Sequence, residues 1–180
     1  MILLGTAING MAIVAGGVLG MLVGRLMPER LRTSLMSALA LVVIGIAVPG
    51  LMKDVNSLVP ILSMVVGTII GELLDIETAM NRLGEMLQRR FSGAPITEGF
   101  VTGSLVFAVG AMAVMGALES GLQHQHTILI SKSVIDGVSA LVFASTLGLG
   151  VALSAITVVV LEGSMTLLAS VIAPYLGDMV

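Results

Sequence analysis

Between its charged residues this chain runs repeatedly through apolar stretches about as long as a bilayer is thick. A hydrocarbon core of about 30 Å needs roughly 20 apolar residues per helical crossing. Residues 2–24 form the first such run, closed by Arg25, Met27-Pro28 and Arg30. Residues 33–52 form the second, with Pro49-Gly50 near its end and Lys53-Asp54 after it. Residues 55–71 make a shorter third run that meets Glu72, a length that tilt or a thinner local bilayer accommodates. The fourth, residues 100–118, stops at Glu119. From 128 to 173 the chain stays apolar for far longer than one crossing, and Gly148-Leu149-Gly150 divides it into a fifth and a sixth helix. The expected fold is all-α, a polytopic transmembrane bundle of about six crossings.

Composition closes the soluble alternative. Of 180 residues, 57% are hydrophobic and 11% charged, against about a quarter charged in a typical soluble domain. A chain of this length cannot hide so much apolar surface in one core, so the lipid bilayer is its first partner. A net charge of −3 with scattered acids leaves no footprint for nucleic acid. The absence of cysteine excludes a disulfide framework, a thiolate metal site and a cysteine nucleophile. The first run lacks a basic leader and a cleavage site, and reads as a retained helix.

Residues 72–98 are the one sizeable polar segment. Ile76, Met80, Leu83 and Leu87 follow helical spacing, with Glu77, Arg82, Glu85 and Arg89 on other faces. This is a cytoplasmic amphipathic connector, broken at Ser92-Gly93-Ala94-Pro95, between a unit at 1–71 and a second at 99–180. Orientation follows from the basic residues. Arg25, Arg30 and Arg32 fall in the first loop and Arg82, Arg89 and Arg90 in the third; only Lys53 and Lys132 fall on the other side. That bias places the N-terminus outside.

Sliding the chain by 100 residues sets Gly10, Val14 and Gly16 on Gly110, Val114 and Gly116, and Ala40-Leu41-Val42 on Ala140-Leu141-Val142. With three crossings per unit the second must enter from the opposite side. An inverted 3+3 repeat of this kind is a recurrent plan in secondary transporters. Gly16, Gly20 and Gly24, and likewise Gly67 and Gly71, recur every fourth position. Such stripes allow close backbone approach within a chain or at a seam between copies, and a homo-oligomer is expected.

An ionisable group at mid-helix in a membrane costs about 2.5–3.5 kcal/mol on insertion scales, so those present carry information. Glu162 stands near the middle of the sixth crossing. Asp136 lies inside the fifth, with Lys132 four residues earlier on the same face. Glu119 closes the fourth helix, and Asn9 lies deep in the first. Ser133 and Ser139 flank Asp136 at helical spacing. Carboxylate and hydroxyl oxygens suit a hard cation such as Na⁺, with Asp136, Ser133 and Ser139 as its ligands. A Glu at the midplane also suits a proton carrier, and Asn9 also suits an interhelical hydrogen bond. His124-Gln125-His126 near Glu119 has the residue types for zinc but no clear third ligand. An intramembrane serine hydrolase fails for want of a histidine base inside the bundle.

Several stretches together resemble one family. They are Asn9-Gly10, Gly110-Ala111-Met112-Ala113 with Gly116, Glu119-Ser120-Gly121-Leu122, and Lys132-Ser133-Val134-Ile135-Asp136-Gly137. These resemble the YqgA-type family of prokaryotic inner-membrane proteins, over most of the chain. The resemblance implies inner-membrane localisation and at least one more hydrophobic segment in the family. It also brings that family's working label of sodium channel or pump, and a Gln where this chain has Glu162. The function expected is a small-cation (Na⁺ or H⁺) channel or ion-coupled transporter, not an enzyme, with no cofactor beyond Na⁺. The alternative is a non-transporting membrane scaffold or regulator working through protein partners.

Overall fold

The computed structural model describes residues 2–24, 26–51, 58–90, 96–108 and 110–176. Arg25, Lys53, residues 55–57 and the break at 92–95 lie outside the described residues. Every regular element among the described residues is helical: α1 (Leu4–Val23), α2 (Glu29–Leu51), α3 (Leu58–Leu74), α4 (Ile76–Arg90), α5 (Ile96–Ala108), α6 (Ala111–Gln123), α7 (Thr127–Leu147), α8 (Leu149–Leu153) and α9 (Ala155–Leu176). A helix satisfies its backbone polar groups internally, which is why an apolar chain in lipid adopts it. Among the described residues, three spans are long and apolar enough to cross a membrane: α1, α7 and the stretch Leu149–Pro174 formed by α8 and α9. The pair α5 and α6, bent by 59°, makes a fourth if counted as one crossing.

The bundle is organised by glycine contacts. A side chain added at Gly16 would strike the carbonyl of Gly137, and one at Gly20 the carbonyl of Leu141. Both pairs advance in the same direction, so α1 and α7 run parallel with their backbones in contact. Gly10 faces Val159 while Gly163 faces Leu3 and Thr6, so α9 runs antiparallel to α1. The expected division at 148–150 is present. Gly148 has φ 70 and ψ −148, a region essentially closed to residues with a Cβ, and it ends α7 before the chain turns into α8. Arg32 closes the neighbouring end of the bundle by donating to the carbonyl of Gly24 at 2.6 Å, where the last turn of α1 leaves acceptors free.

One expectation needs correction. The fourth crossing is not one helix over 100–118. The chain leaves α5 at Ala108 and re-enters α6 at Ala111, because Gly110 has extended backbone (φ 178, ψ 154) that cannot continue a helix. The broken pair nonetheless traverses the bundle. Gly99 lies beside Val151, Ser104 bonds Thr157, and Gly121 abuts Ala169, so its contacts climb α8 and α9 in step. Helix α1 packs on α7, and α2 has its main contact with α7 as well.

Helix α4 matches the amphipathic connector and packs on α5, with Gln88 accepting from the Thr97 amide at 3.3 Å. It meets α3 at Asp75, whose φ of 45 turns the chain sharply between the two.

Candidate functional site

Burying the Gly-lined face of α1 against α7 carries the polar residues of α7 inward with it. Lys132 and Asp136, one turn apart, are both 6% exposed, and Asn9 and Glu162 are 0% exposed. The sequence places these four on three separate helices, and the fold brings them to one locus. The Lys132 ammonium donates to Asp136 Oδ2 and, at 2.7 Å, to the backbone carbonyl of Phe107, and it pairs with Glu162 Oε1 at 3.4 Å. The ammonium thus has two hydrogen-bond acceptors and a second carboxylate within ion-pair reach. Asn9 Nδ2 donates to the same Glu162 Oε1 at 2.9 Å.

The Phe107 carbonyl is available because of the break. In a continuous helix it would accept from residue 111; with α5 ending at Ala108 it has lost that donor. A free carbonyl inside a membrane bundle requires another partner, and Lys132 supplies it. The ammonium therefore ties the broken helix to α7 and α9. With the three side chains ionised, one positive and two negative charges leave the locus at a formal −1.

The remaining predicted residues fall elsewhere. Ser133 is buried, and its hydroxyl donates to the carbonyl of Ile130 at 2.7 Å rather than toward Asp136. Ser139 is buried further along α7. Glu119 accepts from the Ile128 amide at 3.0 Å, which stabilises the first turn of α7, and its carboxylate is occupied there. His126 Nδ1 lies 2.9 Å from Ser120 Oγ, a bond that bridges the α6–α7 turn. Ser120 itself is fully buried. No group of three or more His, Cys, Asp or Glu able to hold a metal occurs among the described residues.

Sequence reasoning missed the Phe107 carbonyl and the fully buried hydroxyls of Thr6 and Thr166. Helical spacing carried a signal for the latter two. Thr6 lies one turn before Asn9, and Thr166 one turn after Glu162. The Phe107 carbonyl was foreshadowed only by Gly110.

Comparison with known proteins agrees with the fold. The chain is 28% identical over 171 residues to the "Uncharacterized membrane protein YdfK" of Bacillus subtilis (strain 168), covering 93% of this chain and 73% of that protein. It is 30% identical over 178 residues to the "Uncharacterized protein YqgA" of Escherichia coli (strain K12), covering 95% of this chain and 76% of that one. No solved structure matches it. With three apolar spans enclosing charged groups, and with a family model matched over residues 4–180, this membrane protein belongs to the family described as "Protein of unknown function (DUF554)".

Proposed function

We propose that the chain is a monovalent-cation channel or cation-coupled transporter of a prokaryotic inner membrane, with its polar site where α1, α5, α7 and α9 meet. The observation that carries this reading is the buried cluster of Lys132, Asp136, Glu162 and Asn9 tied to a helix break. Ionisable groups near the middle of spans are costly and mark ion pathways more often than they serve packing. Broken helices whose free backbone groups face such a locus are a recurrent feature of ion-coupled transporters. A formal charge of −1 suits one Na⁺ or one proton. Helices α2 and α3 bring the count to six crossings with the N-terminus outside, as the basic-residue bias favours.

A second reading has its own support. Asp136 is sealed against Lys132 and nearly inaccessible, which also suits a non-transporting scaffold stabilised by a buried ion pair. Under the transport reading the same geometry is an occluded state.

Flux separates the two. Purified protein in liposomes is expected to carry Na⁺ or H⁺ down an imposed gradient, with Asp136→Asn and Glu162→Gln reducing the rate. Protein that assembles but gives no flux above empty liposomes for either ion would leave the scaffold. Cysteine labelling at position 85 tests orientation, and modification from the periplasmic face of intact cells would reverse it.

A further inference from the structure

Five serines of α7 and of the stretch formed by α8 and α9 share one habit. Ser133, Ser145, Ser154, Ser164 and Ser170 each turn the hydroxyl back onto the carbonyl three residues earlier. This is the ordinary way a helix hides a hydroxyl in an apolar setting. Thr6 and Thr166 do not follow it. Thr6 is 2% exposed and Thr166 0% exposed, yet neither hydroxyl has a hydrogen-bond partner among the described residues. Two further oxygens share that condition, Asn9 Oδ1 and Glu162 Oε2.

Helical spacing sets these four atoms near one level of the bundle. Helices α1 and α9 face each other antiparallel: Asn9 bonds Glu162, and Thr6 packs beside Gly163. Stepping one turn back along α1 from Asn9 reaches Thr6. Stepping one turn forward along α9 from Glu162 reaches Thr166. Because the helices are antiparallel, both steps lead to the same level of the bundle.

We propose that Thr6, Asn9, Glu162 and Thr166 form a dehydrated site for one small alkali cation of the Na⁺ class, between α1 and α9 beside the Lys132 ammonium. The donor set is a carboxylate, an amide carbonyl and two hydroxyls, all hard oxygens, which selects alkali or alkaline-earth ions over transition metals. The charge then selects within that class. Lys132 offsets one of the two carboxylates, so a single positive charge brings the locus to zero, whereas a divalent ion would leave an excess buried in low dielectric. Spacing agrees as well. Oxygens around an ion of this size stand about 2.3–2.6 Å from it and need not touch one another, consistent with four buried oxygens that do not bond among themselves. A proton on Glu162 would also balance the charge, but its single O–H donates to one acceptor, whereas a cation engages all four oxygens. The assignment rests on the reading of the chain as a cation-handling membrane protein, and its site differs from one built on Asp136, Ser133 and Ser139.

The test is thermal unfolding of the full chain in detergent, titrated with NaCl, KCl or choline chloride at constant ionic strength. NaCl is expected to raise the melting temperature saturably where choline does not. Thr6→Val and Thr166→Val preserve shape and remove one oxygen each, so each should weaken the apparent Na⁺ affinity by about tenfold or more. Thr6→Ser and Thr166→Ser retain the hydroxyl and should keep the response, which separates lost ligation from damaged packing. A wild-type protein that responds to NaCl no more than to choline, or only to pH, overturns the site. So does a sodium response unchanged in the Thr6→Val/Thr166→Val double variant. Sodium stabilisation without flux would leave the site standing and remove transport; flux without sodium stabilisation would do the reverse.

Discussion

Two glycine stripes written alike in the sequence have opposite fates. On α1, Gly16 and Gly20 lie under the backbone of α7, and neither has room for a Cβ. On α3, Gly67 and Gly71 have nothing within 4 Å of where a Cβ would stand, and α3 forms no extensive contact with another described helix. The same split appears in the polar residues. The stripe on α1 is accompanied by Asn9, which meets Glu162 and the Lys132–Asp136 pair. The stripe on α3 is followed at the helix end by Glu72, which is exposed. Small residues permit close approach; what converts permission into packing is a partner carrying groups that need burial. In lipid there is no hydrophobic drive to bring apolar helices together, so buried polar contacts and tight backbone packing decide which helices join.

That contrast can be broken most forcefully at Lys132. Lys132→Met leaves two buried carboxylates and a helix-break carbonyl without their shared donor, and removing one partner of a buried pair costs about 3–5 kcal/mol. The variant is expected to unfold well below wild type in detergent or to fail to assemble. The triple variant Lys132→Met/Asp136→Asn/Glu162→Gln, which removes all three charges, should recover part of that loss. A single Lys132→Met protein as stable as wild type would show that the cluster does not hold the bundle.

Next in size are substitutions in the buried stripe. Gly16→Val or Gly20→Val drives a side chain into α7 backbone, an overpacking worth about 1–3 kcal/mol each, read as a lowered melting temperature. Wild-type melting in both would mean that the two helices are not in backbone contact. Gly148→Ala should cost on the order of 1–3 kcal/mol, because it forces a Cβ into a glycine-only conformation at the α7–α8 junction. The smallest effect is expected on α3. Gly67→Ala meets open space and should be neutral or stabilising by up to about 1 kcal/mol through helix propensity. Loss of a defined oligomer in Gly67→Leu, followed by light scattering in detergent, would instead give this stripe a partner in a second copy and sharpen the comparison.

Much of the framework was legible before any coordinates. The spans α1 and α7, the division at Gly148 and the amphipathic α4 follow from run length, charge placement and turn chemistry, all properties of contiguous residues. The break between α5 and α6 was not, although Gly110 stood in view. A lone glycine in an apolar run is compatible with a continuous helix, and whether it breaks depends on what receives the freed carbonyl. Here that receiver is Lys132, 25 residues along the chain from Phe107.

The candidate site divides along the same line. Asp136, Lys132, Glu162 and Asn9 were conspicuous because charge and amide are costly in a membrane at whatever address they occur, and that cost is fixed by residue type. Glu119 carried the same sequence signal and ended as a partner for the first turn of α7. Thr6 and Thr166 carried almost none, since a threonine in a helix usually satisfies itself. By itself the sequence determined that this chain lives in lipid as helices, and that a few charged groups must be enclosed. Those are solvation energies, additive over residues and blind to order in space. Which helices enclose them, which carbonyl the lysine finds and which hydroxyls are left without partners were decided by the approach of α1 to α7 and α9. Those are contact energies between residues as far apart as Asn9 and Glu162, and they come into existence only when the chain is folded.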